Sequence, residues 1–475
     1  MRILARRNTL AFANLRAYYN GYRDRREIFG SRCPPMHTKL LIKSGLVFNA
    51  ATANTDVLDV LISGHHVKQI ASCIVDEEAQ TIDARGRLVV PGLVDVHVHF
   101  RQPGQEYKED IHSGSRAAAA GGFTTVVAEP NTCPPVDTPH RLKKVLQIAA
   151  KDSVVNFYSK AAMTRGIRGH RSADIRGLAE AGARAISDDG HPVPTKRLMR
   201  NALNRGRTYG ILVNPHCEDS PLYLDRMLKG RERTRQGEFE EFKRRAYWSE
   251  AGFIARDIAL AEKAGARIHI SHVSLARSVE IIANAKKRGV LVTAEATPHH
   301  FLLSEKDASE IGTNAKVNPP LRSEDDVKAI RQGLADGIID IIASDHAPHS
   351  PQEKNVSLQE APFGIIGLET TLGLVLTYLV RPGILTLNQA IEKMTLSPAK
   401  IFGLDTMGVG SLTPGTKADV TVIDPEQKWK VDVSSFYSKG RNCPFHGWEL
   451  QGKAILTVVG GRIVMKEGKL VTHGE

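Results

Sequence analysis

Four histidines and two aspartates of this chain sit where they could grip a divalent cation. His97 and His99 lie in VDVHVHF, and a spacing of two along a strand turns both imidazoles to one face. Two neutral imidazoles on one face can hold a cation between them. A lone His-x-His pair arises often by chance. This pair follows PGLVD at the end of an apolar run, and that placement gives it weight. His216 closes GILVNPHC and His272 closes ARIHISH, each again a polar residue ending an apolar run. Taken singly, either is more simply an ordinary satisfied histidine. His269 precedes His272 by three residues, so strand alternation sends it to the other face and leaves it out of the set. Asp345 follows IIAS, and Asp189 stands in ARAISDDG. Either could be a turn or helix-cap residue. A carboxylate at the end of an apolar strand is costly to bury without a partner, however, and a metal ion would supply one. A carboxylate can also bridge two cations through its two oxygens. Four histidines and two carboxylates from five strand ends suit a binuclear centre, with Zn²⁺ favoured. Two cations sharing a hydroxide would lower its pKa toward neutrality.

Such residues converge only if the elements between them place every strand end on one side. From about residue 92 apolar runs alternate with helical stretches. LVDVHVHF precedes SGSRAAAAGG, FTTVVAEP precedes HRLKKVLQIAAK, and the pattern continues through DIIASDHAPH. Strands of four to eight residues, each followed by a helix, are parallel βα units. About eight units predict an α/β fold of the (β/α)8 TIM-barrel type over residues 92–404. A doubly wound sheet is the structural rival, but it would gather its ligands at one switch point. Here polar residues end nearly every strand. Residues 37–91 and 405–475 read instead as short strands broken by Gly and Asn/Asp. They predict a small composite β-sandwich domain made from both chain ends.

The net charge of +12 over 475 residues invites a nucleic-acid reading. Residues 1–36, however, hold eight Arg against Asp24 and Glu27, which is +6, so only +6 remains for residues 37–475. That body has no long basic run and no aromatic-interleaved patch, so its charge is read as a solvated surface, with no nucleic-acid partner. The Arg-rich segment 1–36 resembles a mitochondrial transit peptide but is poor in Ser. Met36 is followed at once by a strand-like run, so the segment is taken as lying upstream of the true start and outside the fold. Five cysteines without C-x-x-C spacing predict free thiols in a reducing, cytoplasmic setting. No apolar run is long enough to span a bilayer, so no membrane partner is expected.

The motifs VDVHVHFRQPG, GGFTTVVAEPNTCPP, ISDDG, HCED, HISHVS, TPHHFLL, KVNPPLRSEDD, ASDHAPH, APFGIIGLET and KGRNCPFHGW occur in this order. Together they resemble the type I dihydroorotases of the amidohydrolase superfamily, from about residue 38 to about residue 470. The resemblance implies a zinc-dependent cyclic amide hydrolase of pyrimidine biosynthesis. It would interconvert L-dihydroorotate and N-carbamoyl-L-aspartate. One metal would be held by His97, His99, Asp189 and Asp345, and the other by Asp189, His216 and His272. One or two Zn²⁺ per subunit are implied, two being favoured. Asp189 would replace the carboxylated lysine of hydantoinases and allantoinases. Arg101 would pair with the substrate carboxylate, which a guanidinium fork suits. Asn131 and Asn318 would orient the acid and the ring. His349 would contact the carboxylate end, and Phe363 and Gly364 would line the ring. A water activated at the metal would attack the ring amide carbonyl, with Asp345 shuttling its proton to the leaving nitrogen. A homodimer, and association with an aspartate transcarbamoylase, are also implied.

There are two departures from the pattern. Glu129 stands in AEPNT where the family usually has Met, and an added carboxylate there could repel an anionic substrate or face away. The charged run 225–250 is longer than expected and reads as a helical excursion over the site. Two rivals remain. An allantoinase or hydantoinase would need a lysine in place of ISDDG, and Lys160 lies one strand early. A non-catalytic subunit on the same fold would be expected to lose ligands that this chain keeps.

Overall fold

The computed structural model describes residues 39–49, 54–218 and 236–471. The basic segment 1–36 lies outside them, as does the first part, 225–235, of the charged run 225–250, whose remainder belongs to the helix Gln236–Ala264.

Strands from both chain ends share one mixed sheet. Five come first: β1 Lys39–Asn49, β2 Asn54–Ser63, β3 His66–Ala71, β4 Ala79–Asp83 and β5 Leu88–Pro91. Near the other end come β14 Val420–Lys430, β15 Glu449–Val459, β16 Arg462–Lys466 and β17 Lys469–Leu470. The order is β17-β16-β15-β14-β5-β1-β2-β3. β1 forks, pairing in parallel with β4 through Lys39–Lys43 and with β5 through Leu46 and Val47. The fork passes Gly45, where a Cβ would come within 2.3 Å of Val89, so only glycine lets the two strands close.

Eight short parallel strands lie between these ends. They are β6 Leu93–Val98, β7 Phe123–Ala128, β8 Asn156–Ser159, β9 Ala185–Ile186, β10 Leu212–Val213, β11 Ile268–Ile270, β12 Val292–Ala296 and β13 Ile341–Ile342. β6-β7-β8 form one sheet and β9 through β13 another, each in chain order. A parallel bridge, Ala161 to Ile186, follows the end of β8 and leads to β9. Another joins His346, just past β13, to Val98 of β6. β6 and β7 are buried along their whole length, as parallel strands covered on both faces must be.

Helices return the chain between these strands, and their ends carry the expected caps. Ile111–Ala120 starts on a capping box of Asp110 and Ser113, and Pro139–Asp152 starts on Thr138 with Pro at its first position. Lys196–Tyr209 begins on Thr195 and stops at Gly210, whose φ of 69° ends the helix in the left-handed region. The mixed sheet is tied to the parallel strands by polar contacts. Asn156 Nδ2 donates to Asp419 at 2.8 Å, and Thr457 Oγ1 donates to the Ala119 carbonyl at 2.8 Å. Among the described residues no helix is long and apolar enough to cross a membrane.

Candidate metal centre

Every metal-ligand candidate sits at or just beyond the carboxyl end of a parallel strand. His97 is the fifth residue of β6, and His99 follows its last residue. Asp189, His216, His272 and Asp345 follow β9, β10, β11 and β13 by two or three residues. Asp95 joins two of these ends. Its carboxylate accepts the His97 N–H at 3.0 Å and the Ser344 N–H at 3.1 Å, so β6 and the Asp345 loop share one anchor. The His99 N–H donates to the His346 carbonyl at 2.8 Å.

Asp189 is the meeting point. Its oxygens lie 3.5 Å from His97 Nε2, 3.6 Å from His99 Nε2, 3.5 Å from His216 Nδ1 and 3.6 Å from His272 Nε2. Two compact groups result, His97–His99–Asp189 and Asp189–His216–His272, each with its ligand atoms within 4.8 Å of one another. Asp345 joins the first from the side, with Oδ1 at 3.0 Å from His99 Nε2 and 3.5 Å from His97 Nε2. His97 Nε2 and Asp189 Oδ1 are buried and have no hydrogen-bond partner. Leaving such atoms unpaired is costly, and a cation between them would satisfy both. Tetrahedral zinc with bonds of about 2.1 Å sets its ligand atoms roughly 3.4 Å apart, the spacing seen around Asp189. The residues present therefore fit a divalent cation.

The charges are arranged to match. Burial works to raise the Asp345 pKa, but His97 and His99 outweigh it and hold the carboxyl below its ordinary value. Burial likewise opposes ionisation of Asp189, and His216, His272 and His97 reverse that effect. The backbone is strained at the same place. Among the described residues six non-glycine residues have positive φ, and three of them are Arg101 at 55°, His272 at 30° and Asp345 at 48°. Strain of this kind persists only where the surroundings fix it, as at a functional site.

Strand alternation alone misses the supports. Glu295, on β12, is fully buried and accepts from His97 Nδ1 at 2.5 Å, His269 Nε2 at 3.0 Å and the His272 N–H at 3.3 Å. It fixes the His97 tautomer, turning Nε2 toward Asp189. His269 is thus no ligand but a partner of Glu295. The visible signal was a glutamate inside the apolar strand VTAEA. Glu250 accepts from the Ser274 and Leu275 backbone at 3.1 and 3.2 Å, and Arg322 donates to Glu218 at 2.5 Å. Together they clamp the loops that carry His272 and His216.

The residues expected at the substrate have mixed placements. Asn131 faces the ligands themselves, its Oδ1 accepting from His99 Nδ1 at 2.9 Å and its Nδ2 donating to Asp189 Oδ2 at 3.1 Å. Asn318 Nδ2 lies 3.1 Å from His216 Nε2, while its Oδ1 is buried and unpartnered. Arg101 lies beyond β6, so its direction is set by its left-handed turn and not by strand alternation. Its Nε donates to the Pro348 carbonyl at 3.2 Å. His349 Nε2 donates to the Phe363 carbonyl at 2.8 Å, with Lys108 Nζ 3.5 Å from its Nδ1. Burial, then Arg101 and Lys108, push His349 down to about 2, so it is neutral. Gly364 has φ of 129°, and a Cβ there would lie 2.7 Å from Ala347. Glu129 is buried at the end of β7 and paired with Lys160, so its charge is offset. Lys160 Nζ also donates to Asn214 at 2.5 Å.

Known proteins share both sequence and fold with this chain. The model of the amidohydrolase family matches residues 88–464. A dihydroorotase of Pelotomaculum thermopropionicum is 47% identical over 430 residues, covering 90% of this chain and 99% of that protein. A dihydroorotase of Syntrophotalea carbinolica is 46% identical over 430 residues, with coverage of 90% and 99%. Among solved structures, the L-hydantoinase (dihydropyrimidinase) of Arthrobacter aurescens superposes with a TM-score of 0.82 at 28% identity, covering 91% of this chain and 97% of that one. The dihydropyrimidinase of Brevibacillus agri gives 0.79 at 25% identity, covering 92% and 97%. With the match running from β5 to β16 through every strand end that carries a ligand candidate, the chain belongs to the amidohydrolase family.

Proposed function

We propose that the protein is a dihydroorotase, interconverting L-dihydroorotate and N-carbamoyl-L-aspartate in pyrimidine biosynthesis. The observation that carries this is Asp189, one carboxylate within 3.6 Å of all four imidazoles. A hydantoinase-type centre would need a lysine there, and Lys160 is instead committed to Glu129 and Asn214. Near-full-length identity of 47% to a dihydroorotase, against 28% to a hydantoinase of known structure, supports the same choice.

The fold that positions this centre is inferred to be a (β/α)8 barrel, supported by the parallel bridges that link β8 to β9 and β13 to β6. The forked mixed sheet is inferred to close as a sandwich around Ile42, Val60, Val89, Val422 and Leu456.

The cation is inferred to be zinc, two per subunit, held by His97, His99, Asp189 and Asp345 and by Asp189, His216 and His272, as imidazole and carboxylate donors suit. When bound it polarises the amide carbonyl and lowers the pKa of a water toward about 7. Asp345 turns Oδ1 toward His97 and His99, which leaves Oδ2 to take the water proton and deliver it to the ring nitrogen. Arg101 binds the substrate carboxylate, and neutral His349 presents no competing charge beside it. Asn318 Oδ1, buried and free of a partner, accepts from a ring N–H. Phe363 and Gly364 line the ring.

Turnover of L-dihydroorotate, allantoin and dihydrouracil, measured before and after chelation, tests this. Zinc-dependent turnover confined to dihydroorotate is expected. Turnover of dihydrouracil or allantoin without dihydroorotate would overturn the assignment while leaving the metal centre in place.

A further inference from the structure

Glu129 has no place in the centre described so far, yet it is built into it. Its backbone N–H donates to the Val98 carbonyl at 2.9 Å, which fixes it beside the strand end that carries His97 and His99. Its side chain is fully buried. Oε1 accepts from Lys160 and lies 3.5 Å from His97 Nε2. Oε2 is buried with no hydrogen-bond partner. A carboxylate left half satisfied in a closed interior is a costly arrangement.

Beyond Lys160, what Oε1 faces is the ligand end of His97. Three carboxylate oxygens, from Glu129, Asp189 and Asp345, converge on the unpartnered His97 Nε2 at the same 3.5 Å. That spacing suits ligand atoms about a common cation of roughly 2.1 Å bond length. A hydrogen-bonding role would need a donor, and one imidazole N–H cannot serve three acceptors. Lys160 offsets one of the converging charges, and Asn214 Oδ1 in turn holds Lys160 at 2.5 Å. Asn214 Nδ2 then reaches the His269 carbonyl at 2.9 Å and Ser271 Oγ at 2.8 Å, on the strand end leading to His272. The Glu129–Lys160–Asn214 row therefore ties the ends of β7, β8, β10 and β11 together.

We propose that Glu129 is an additional protein ligand to the cation held by His97 and His99, with Lys160 aiming its carboxylate. This rests on the metal centre proposed above, and metal binding tests it apart from turnover. Zinc stoichiometry and affinity are measured by chelator competition on the full chain, together with the Co²⁺ absorption spectrum. Two variants are compared with wild type. Glu129→Gln keeps an oxygen for Lys160 but is a poor ligand. The double variant Glu129→Met/Lys160→Met removes both charges at once. In each, zinc affinity at one of the two sites is expected to fall at least about tenfold. The Co²⁺ bands shift, and the metal-free melting temperature of the double variant stays close to wild type. Wild-type zinc affinity and an unchanged Co²⁺ spectrum in both variants would show Glu129 to be only the partner of Lys160, and would overturn the proposal. Restored affinity in the double variant after loss in Glu129→Gln would overturn it too, because the effect would then come from an unpaired Lys160. Wild type that binds no zinc overturns the centre and this ligand together.

Discussion

Glu295 is the residue on which the geometry makes its most exposed claim. It accepts three buried donors, His97 Nδ1 at 2.5 Å, His269 Nε2 at 3.0 Å and the His272 N–H at 3.3 Å. Truncation to Ala would strand all three, at about 1–3 kcal/mol each. The sum, roughly 3–9 kcal/mol, rivals the whole stability of an ordinary domain. Glu295→Gln is different. Its amide oxygen can replace Oε1 for His97 and His272. Its NH₂ group would face His269, which can change tautomer because its Nδ1 meets the Thr293 hydroxyl at 2.8 Å, and a hydroxyl can donate or accept. The hydrogen-bond count survives, and stability is expected to fall by no more than about 1 kcal/mol. What is lost is the negative charge behind His97. Burial opposes ionisation of Glu295, but His97 and His269 hold it well below its ordinary pKa, so the native group is a carboxylate. An imidazole backed by a neutral amide is a weaker base and a weaker ligand. Zinc affinity should fall by about 10–100-fold, or 1.4–2.7 kcal/mol. The assay pairs urea unfolding of the metal-free protein with zinc competition titration. A Glu295→Gln protein that binds zinc like wild type would show that the charge behind His97 does not matter to the cation, and one that unfolds as readily as Glu295→Ala would show that the amide does not replace the lost hydrogen bonds.

Asp345→Asn should abolish turnover in both directions while leaving the melting temperature within a few degrees of wild type; a variant that kept the wild-type rate would remove Asp345 as proton carrier. Arg101→Lys should raise KM for dihydroorotate by about 10-fold or more with a smaller effect on kcat, because an ammonium cannot present the planar fork; unchanged KM in steady-state kinetics would place the substrate carboxylate elsewhere. His300 supplies a pH signature. Burial lowers its pKa from 6.5 to about 4, so the unfolded chain takes up a proton that the folded chain refuses between those values. Its contribution is whole above pH 6.5 and is lost as pH falls toward 4, by up to about 3 kcal/mol at 1.36 kcal/mol per unit. Urea unfolding at pH 7 and pH 4.5 should show wild type losing more stability than His300→Gln, and parallel losses would count against a buried neutral imidazole.

Much of this site is legible in the sequence, and the reason is periodicity. A parallel strand buried on both faces must be a short apolar run, so a polar residue ending such a run stands out. His97, His99, Asp189, His216, His272 and Asp345 were all visible in that way, and the structure brings the four histidines around Asp189. The two β segments at the chain ends were equally plain from their turns, and their strands do share one sheet. Family resemblance, and not spacing, supplied the substrate and the division of ligands between two metals.

What the sequence could not supply is whatever depends on residues meeting across the fold. Glu295 is one glutamate in an alternating strand until His97, His269 and His272 close on it from two other strands. Asn131 looked like a substrate contact. Only the tertiary structure puts its amide between His99 and Asp189. The direction of Arg101 could not be extrapolated from β6, because pairing ends at Val98 and a left-handed residue resets the chain. Glu129 and Lys160 are 31 positions apart and carry no shared motif, yet they form a buried pair at the edge of the centre. A strand's own pattern determines which residues face inward, because that is local backbone geometry. Which inward residues then touch is decided by the order and stagger of all the strands together, and no one segment encodes that.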